Sequence, residues 1–208
     1  FFLTFKPYNF VGSVGIILAF WIIFSVLVPV AQQLIKKNNS KRIMLDNTPK
    51  YSNSMILAHL GIGLLILGIT GSSVWQEEKI TRMKVNEETA INNYNIVLKE
   101  INEITGPNYI ALQGNFWIYD EKKNIIAKLK PENRFYTVTN SSTTEVSIHT
   151  NLLRDLYIVL GEGKIDNDWV VRVYYNPLVI WIWIGAIAIF LGGITSTITN
   201  LKSLKRLP

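Results

Sequence analysis

The chain holds two histidines, and one of them, His59, is the sole ionisable side chain in the apolar run Ser52–Trp75. Carrying such a group into a membrane span costs on the order of a few kcal/mol, so intramembrane ionisable residues face protein and perform work. An imidazole placed there has two uses. It can stay neutral and hydrogen-bond a neighbouring helix, or it can give a ring nitrogen to heme iron. Small residues crowd around it: Ala58, Gly61 and Gly63, with Gly63 one helical turn on and on the same face. That leaves room for a flat macrocycle or for a very close helix.

His59 needs a span to hold it. The chain has 208 residues, 49% of them hydrophobic, and they concentrate in three stretches: Val11–Ile35, Ser52–Trp75 and Pro177–Thr199. Each is uncharged apart from His59, and each reaches the roughly 20 residues that cross about 30 Å of hydrocarbon. A buried soluble helix of that length would show a polar face, and none of these does. The expectation is three transmembrane helices. Phe1–Phe10 lacks a basic n-region and a small-residue cleavage site, so it does not read as a signal peptide, and the chain is expected to begin inside a longer polypeptide or to have lost its start.

The net charge of +6 follows the spans. Lys36, Lys37, Lys41, Arg42 and Lys50 fill the loop after the first stretch, and Lys202, Lys205 and Arg206 follow the third. The positive-inside rule puts both clusters on the cytoplasmic or matrix side. The plain alternative is a solvated charge run, but its agreement with an alternating topology favours the membrane account over any nucleic-acid partner. The expected organisation is then residues 1–75 as two transmembrane helices (about 11–35 and 52–75) joined by a basic cytoplasmic loop, 76–176 as an extracytoplasmic domain, and 177–208 as a third helix with a basic tail. His59 falls about 6–8 Å inside the cytoplasmic edge at ~1.5 Å per residue.

The segment 76–176 reads as β-rich. Val97, Leu98 and Ile101 precede a turn at Gly106-Pro107-Asn108, and Tyr109–Tyr119 alternates with Ile110, Leu112, Phe116 and Ile118 on one face. Asp120–Asn124 reads as a polar turn, and Ile125–Leu129 and Arg134–Thr139 as short strands. Leu152–Leu160 fits a helix or a buried strand, and Trp169–Tyr175 is a last strand leading into the third span. Such spacing predicts a small sandwich or partly open barrel.

Cysteine is absent, which removes thiol nucleophiles, Cys-based zinc or iron–sulfur sites and disulfide exchange. No phosphate-cradling Gly-rich loop or metal-spaced histidine pair occurs. Gly61, Gly63, Gly68, Gly71, Gly185, Gly192 and Gly193 lie in spans, where small residues permit close helix packing. Trp75, Tyr174, Tyr175, Trp181 and Trp183 cluster at the predicted membrane–water boundary. They form an interfacial belt, or Trp181 and Trp183 offer a platform on which a porphyrin stacks.

Several runs resemble a known family. Ala58-His59-Leu60-Gly61, Gly68-Ile69-Thr70-Gly71-Ser72-Ser73-Val74-Trp75, Thr105-Gly106-Pro107-Asn108-Tyr109, Thr144-Glu145, Arg154-Asp155-Leu156-Tyr157, Leu160-Gly161-Glu162, Trp169–Val179 and Trp181–Gly185 occur in that order. Together they resemble the C-terminal part of the cytochrome c-type biogenesis (CcmF, heme lyase) family. The resemblance covers nearly the whole chain beyond the basic loop. It implies a role in joining heme vinyl groups to the thiols of apocytochrome c, with a CcmE-like heme chaperone, a CcmH-like apocytochrome-presenting protein and the N-terminal portion of CcmF as partners. It also implies a b-type heme held in the membrane between two histidines, with His59 as one axial ligand to the iron and Gly63, Trp181 and Trp183 as possible surroundings. The location implied is the bacterial inner membrane with a periplasmic domain, or the mitochondrial inner-membrane equivalent. The family's tryptophan-rich external loop and its external histidines have no counterpart here, so the chain alone is not expected to ligate heme.

His149 lies in the predicted external domain and is expected to be a solvated strand histidine. One chain therefore cannot give both ligands to a heme at His59. Arg154 and Asp155 are expected to form an internal ion pair or turn, with contact to a partner as the alternative. Two other classes remain. A non-catalytic scaffold would dock the heme chaperone or the apocytochrome-presenting protein through its external domain. A transporter would need ionisable partners in the other spans, and these have none.

Overall fold

The computed structural model describes residues 9–38, 52–163 and 168–204. The expected basic residues Lys41, Arg42, Lys50, Lys205 and Arg206 lie outside them. The chain divides into two compact units, Phe1–Trp75 with Leu178–Pro208, and Gln76–Pro177.

The first unit is helical: α1 spans Phe10–Asn38, α2 Asn53–Val74 and α3 Val179–Leu204. The stretches long and apolar enough to cross a membrane are Phe10–Gln33, Asn53–Val74 and Val179–Leu201. Ser52 caps α2, its Oγ accepting from Met55 N at 3.2 Å, which satisfies an orphan donor of the first turn.

Glycines set how closely the helices approach. A Cβ on Gly61 would meet Gly185 O at 2.7 Å and Ile189 N at 2.8 Å, and one on Gly68 would meet Ile182 N at 2.7 Å. One on Gly192 would meet Ser54 O at 2.9 Å and Ala58 N at 3.0 Å. These obstacles are backbone atoms, so α2 and α3 touch main chain to main chain along Ala58, Gly61 and Gly68, as small residues allow in membranes. On its other side α2 meets α1. Gly63 lies against Ile23 and Ala19, Gly15 against Thr70, and Gly12 against Val74 and Trp75. Of the two uses foreseen for the space at Gly63, the close helix is the one present.

The second unit is a sandwich, carried between α2 and α3 in the chain. Among the described residues its strands are β1 Glu77–Met83, β2 Glu88–Ile91, β3 Tyr94–Thr105, β4 Tyr109–Tyr119, β5 Ile125–Leu129, β6 Glu132–Tyr136, β7 Ser141–Glu145, β8 Ser147–Thr150, β9 Arg154–Leu160 and β10 Trp169–Pro177. One sheet has the order β1-β10-β9-β8; the other has β2-β3-β4-β6-β7, with β5 also on β4. The core between them includes Ile96, Leu98, Phe116, Ile118, Leu156, Ile158, Leu160, Trp169, Val171 and Val173. Strands β9 and β10 alternate strictly, every second residue being buried, as inner faces of packed sheets do.

Turn chemistry punctuates the strands. Asn92, Lys123 and Asn140 take positive φ between strands, a region that Asn tolerates. Gly106 opens the β3–β4 turn, its N–H donating to Tyr109 O at 2.8 Å; a Cβ there would run into the Tyr109 ring. An extra residue, Lys99, bulges from β3 between Leu98 and Glu100.

Four expectations change. Leu152–Leu160 resolves to a strand from Arg154, because Asn151 Oδ1 accepts from both Leu153 N and Arg154 N at 2.8 Å and turns the chain first. The strand expected through Thr139 stops at Tyr136, where residues 137–140 turn and Val138 is exposed. Ile110, expected on the core face, is 40% exposed, while its neighbour Ala111 is buried. Strands β1, β2, β7 and β8 were not anticipated.

Candidate functional site

His59 lies in the second turn of α2, half-buried. Its Nδ1 is 2.9 Å from the carbonyl oxygen of Met55, one turn back. A carbonyl can only accept, so Nδ1 carries the proton and the lone pair resides on Nε2. At about 100° per residue, His59 sits between the α1-facing stripe of Gly63 and an uncovered stripe. That second stripe holds Met55, Ile62 and Ile69, each 40–46% exposed. The imidazole thus stands at the edge of the α1 contact, beside a face of α2 that neither α1 nor α3 covers.

The other residues expected around it are not gathered there. Gly63 is given over to the α1 contact. Trp181 and Trp183 belong to α3, which packs on the opposite side of α2. Gly61 against Gly185 and Gly68 against Ile182 put Trp183 level with Leu65 and Trp181 level with Leu67, about 9 and 12 Å along the axis from His59. Trp183 is 65% exposed and points away from the helix contacts.

The sandwich holds a second polar cluster. Arg154 is only 2% exposed. Its Nη1 lies 2.6 Å from His149 Nδ1 and donates to His149 O at 3.1 Å, and its guanidinium centre is 4.6 Å from the Tyr94 ring centroid. His149 is therefore not the solvated strand histidine expected: β8 places it half-buried, as acceptor for a buried arginine. Burial first, and then the Arg154 charge, push its pKa below the usual 6.5. Arg154 is too buried to meet a partner, and among the described residues it makes no ion pair with Asp155. Burial raises the Asp155 carboxyl above its ordinary value, against the Thr150 hydrogen bond and the Arg154 charge. Nothing in the sequence pattern marked the Arg154–His149 contact except the short loop at Asn151 that folds β9 back on β8.

Among the described residues no group of three or more His, Asp or Glu side chains could hold a metal ion. The Nε2 of His59 keeps its lone pair, the group through which a neutral imidazole can bind a metal.

Residues 74–177 match the family model described as the CcmF C-terminal beta-sandwich. The chain is 41% identical over 140 residues to the cytochrome c-type biogenesis protein CcmF of Haemophilus influenzae, covering 67% of this chain and 22% of that protein. It is 31% identical over 206 residues to CcmF of Pseudomonas fluorescens, covering 98% of this chain and 30% of that one. A solved structure of the cytochrome c heme lyase CcmF shares the fold, with a TM-score of 0.61 at 12% identity, over 91% of this chain and 35% of the other. The chain thus spans 22–35% of the length of these relatives. Three apolar helices and these bacterial relatives make it a multi-pass membrane protein. Carrying that β-sandwich between its second and third apolar helices, the chain belongs to the CcmF family of cytochrome c-type biogenesis proteins.

Proposed function

We propose that this chain is part of a membrane heme lyase of cytochrome c maturation, in which His59 gives one axial ligand to a b-type heme. The observation that carries this reading is the 2.9 Å hydrogen bond between His59 Nδ1 and Met55 O. Metal-ligating histidines are held by just such a bond on the second ring nitrogen, which fixes the tautomer and orients the ring. The free Nε2 borders the uncovered stripe of Met55, Ile62 and Ile69, where a neighbouring helix has space to approach.

His149 is engaged by Arg154, so a second ligand to the heme would have to come from outside this chain. When bound between two imidazoles, such a heme supplies one-electron transfer, which keeps the heme being attached in its ferrous form. The chain's own contribution is positional. The Met55 carbonyl holds the imidazole, and the glycine contacts of α2 with α1 and α3 hold the helix. The sandwich lies on the periplasmic side of the inner membrane, or its mitochondrial equivalent, where a CcmE-like chaperone, a CcmH-like protein and apocytochrome c are met. Ligation itself needs the N-terminal portion of CcmF.

The test is a visible spectrum of the assembled lyase. His59→Ala should remove the reduced low-spin b-type signal and stop cytochrome c maturation, while His149→Gln should keep both. An unchanged b-type spectrum in His59→Ala would discard the ligand role. A second reading, a non-catalytic scaffold, is favoured by the exposed Ile80 and Ile148 on one face of the sandwich. It would be supported by His59→Ala retaining maturation as well as partner binding.

A further inference from the structure

The outer face of the four-stranded sheet carries apolar side chains among its charged ones. Glu78, Tyr174, Tyr157 and Ile148 form a row across β1, β10, β9 and β8. The two tyrosine rings stack at 4.4 Å, and Ile148 is 52% exposed. The next row is Ile80, Arg172 and Val159. There the sheet is one strand short, because β8 pairs with β9 only as far as Ile158. A groove of 560 Å³ opens at that place, with Val146, Val159, Val170 and Tyr174 among its lining and Arg172 and Glu162 as its charges.

Strand β7 reaches this groove at Thr144, which forms part of the wall. All five of its residues are exposed, and it ends its sheet, pairing only with β6. Proteins blunt such edges with lysine, proline or a bulge. Ser141-Ser142-Thr143-Thr144-Glu145 has none of these, and its one charge turns back to Arg134 at 3.5 Å. In the groove, Arg172 hydrogen-bonds Tyr174 and, among the described residues, makes no ion pair. The opposite outer face is closed by its own side chains, with Lys99 and Lys128 5.4 and 4.1 Å from the Trp117 ring centroid.

The geometry points to a β-augmentation site: β7 accepts an extended strand from a protein partner, whose alternate side chains enter the groove. Main-chain hydrogen bonds supply affinity in this mode, and pockets for every second side chain supply selectivity. The lining defines the strand it takes. Aliphatic groups fit Val146, Val159 and Val170, an acidic residue meets Arg172 and a basic one meets Glu162. The two opposite charges fix the direction of the strand. This site is independent of His59.

The test uses the full chain in detergent micelles and a capped, fluorescent heptapeptide of alternating valine and threonine, glutamate at one end and lysine at the other. A second peptide carries the charged ends exchanged. One of the two should bind at least tenfold tighter by anisotropy, and the double variant Glu162→Arg, Arg172→Glu should invert that preference. A proline at the centre of the preferred peptide should abolish binding. Amide exchange should slow at Ser141–Glu145 when it binds. Equal binding of both peptides, a preference unmoved by the charge exchange, or protection at β1 instead of β7 would overturn the proposal. So would a concentration-dependent dimer that excludes the peptide, since the occupant would then be a second copy of this chain.

Discussion

Arg154 Nη1 and His149 Nδ1 lie 2.6 Å apart, so a buried guanidinium is met by a neutral imidazole and, among the described residues, by no carboxylate. Protonating His149 removes the acceptor and sets two cations against each other. Its folded pKa is below the usual 6.5, so the unfolded chain binds more protons in the window beneath that value. The stabilisation from His149 is complete above pH 6.5 and is lost as pH falls through the depressed folded pKa. Asp155 has the opposite sign. Its raised pKa gives a contribution that is complete below the usual 3.8 and is lost as pH rises through the folded value. Amide exchange in β8 and β9 of the intact chain should therefore quicken, beyond its intrinsic pH dependence, as pH drops below 6.5. His149→Gln, which keeps an acceptor that does not titrate, should flatten that response.

Removing the guanidinium tests the other half of the pair. Arg154→Ala leaves the His149 acceptor unmet and strips the contact with Tyr94. A loss of about 2–4 kcal/mol is expected from a buried polar network broken on one side. Arg154→Met, which retains bulk over the Tyr94 ring, should recover part of it. Denaturant titration followed by the fluorescence of Trp169, 1% exposed in the core, reads the difference. Equal stability of Arg154→Ala and the parent would mean that the contact is dispensable.

The legible parts of the sequence were those in which burial dictates residue type. Three charge-free runs announce three helices, and Tyr109–Tyr119 and Ile125–Leu129 are strands at the expected bounds. Strands β1 and β7 were hidden because Glu77–Met83 and Ser141–Glu145 are mostly exposed. Main-chain bonds to β10 and β6 hold such edge strands, and those leave no hydrophobic alternation to read. The Asn92-Asn93 turn joining β2 to β3 was a usable hairpin signal. His59 stood out by its isolation. Its surroundings did not, because helices apolar on every face carry no period to show which side meets which neighbour.

Helix packing makes a sharp contrast between two glycines. At Gly61 a Cβ would press on main-chain atoms of Gly185 and Ile189 at 2.7–2.8 Å, while at Gly193 it would meet no atom within 4 Å. Gly61→Ala should force α2 and α3 apart, at a cost of about 1–3 kcal/mol typical of overpacking. Gly193→Ala should be silent. Disulfide trapping between cysteines placed on the two helices, compared across both variants, measures the separation. Identical trapping would mean that the helices do not meet through Gly61.

Topology follows from charge. Ser40→Cys should resist an impermeant thiol reagent added outside intact cells, and Thr143→Cys, on the exposed strand β7, should react. The reverse pattern would place the sandwich in the cytoplasm and remove it from any encounter with periplasmic partners.

Ligand and structural roles of His59 separate most cleanly by chemical rescue. Substitution alone leaves doubt, because losing the bond to Met55 O could loosen the first turns of α2 and shed heme indirectly. His59→Gly in the assembled lyase creates a hole the size of the ring. Free imidazole at millimolar levels can enter such a hole and bind iron through one nitrogen, without restoring any link to the helix. If His59 is the axial ligand, imidazole should return the low-spin b-type spectrum of His59→Gly, and methyl groups on both ring carbons next to one nitrogen should weaken the rescue. If His59 only braces α2, imidazole should do nothing, because the brace depends on a covalent attachment to residue 59. Met55→Leu is the companion: it leaves the carbonyl in place, so the spectrum should persist, showing that the main-chain oxygen and not the thioether orients the ring.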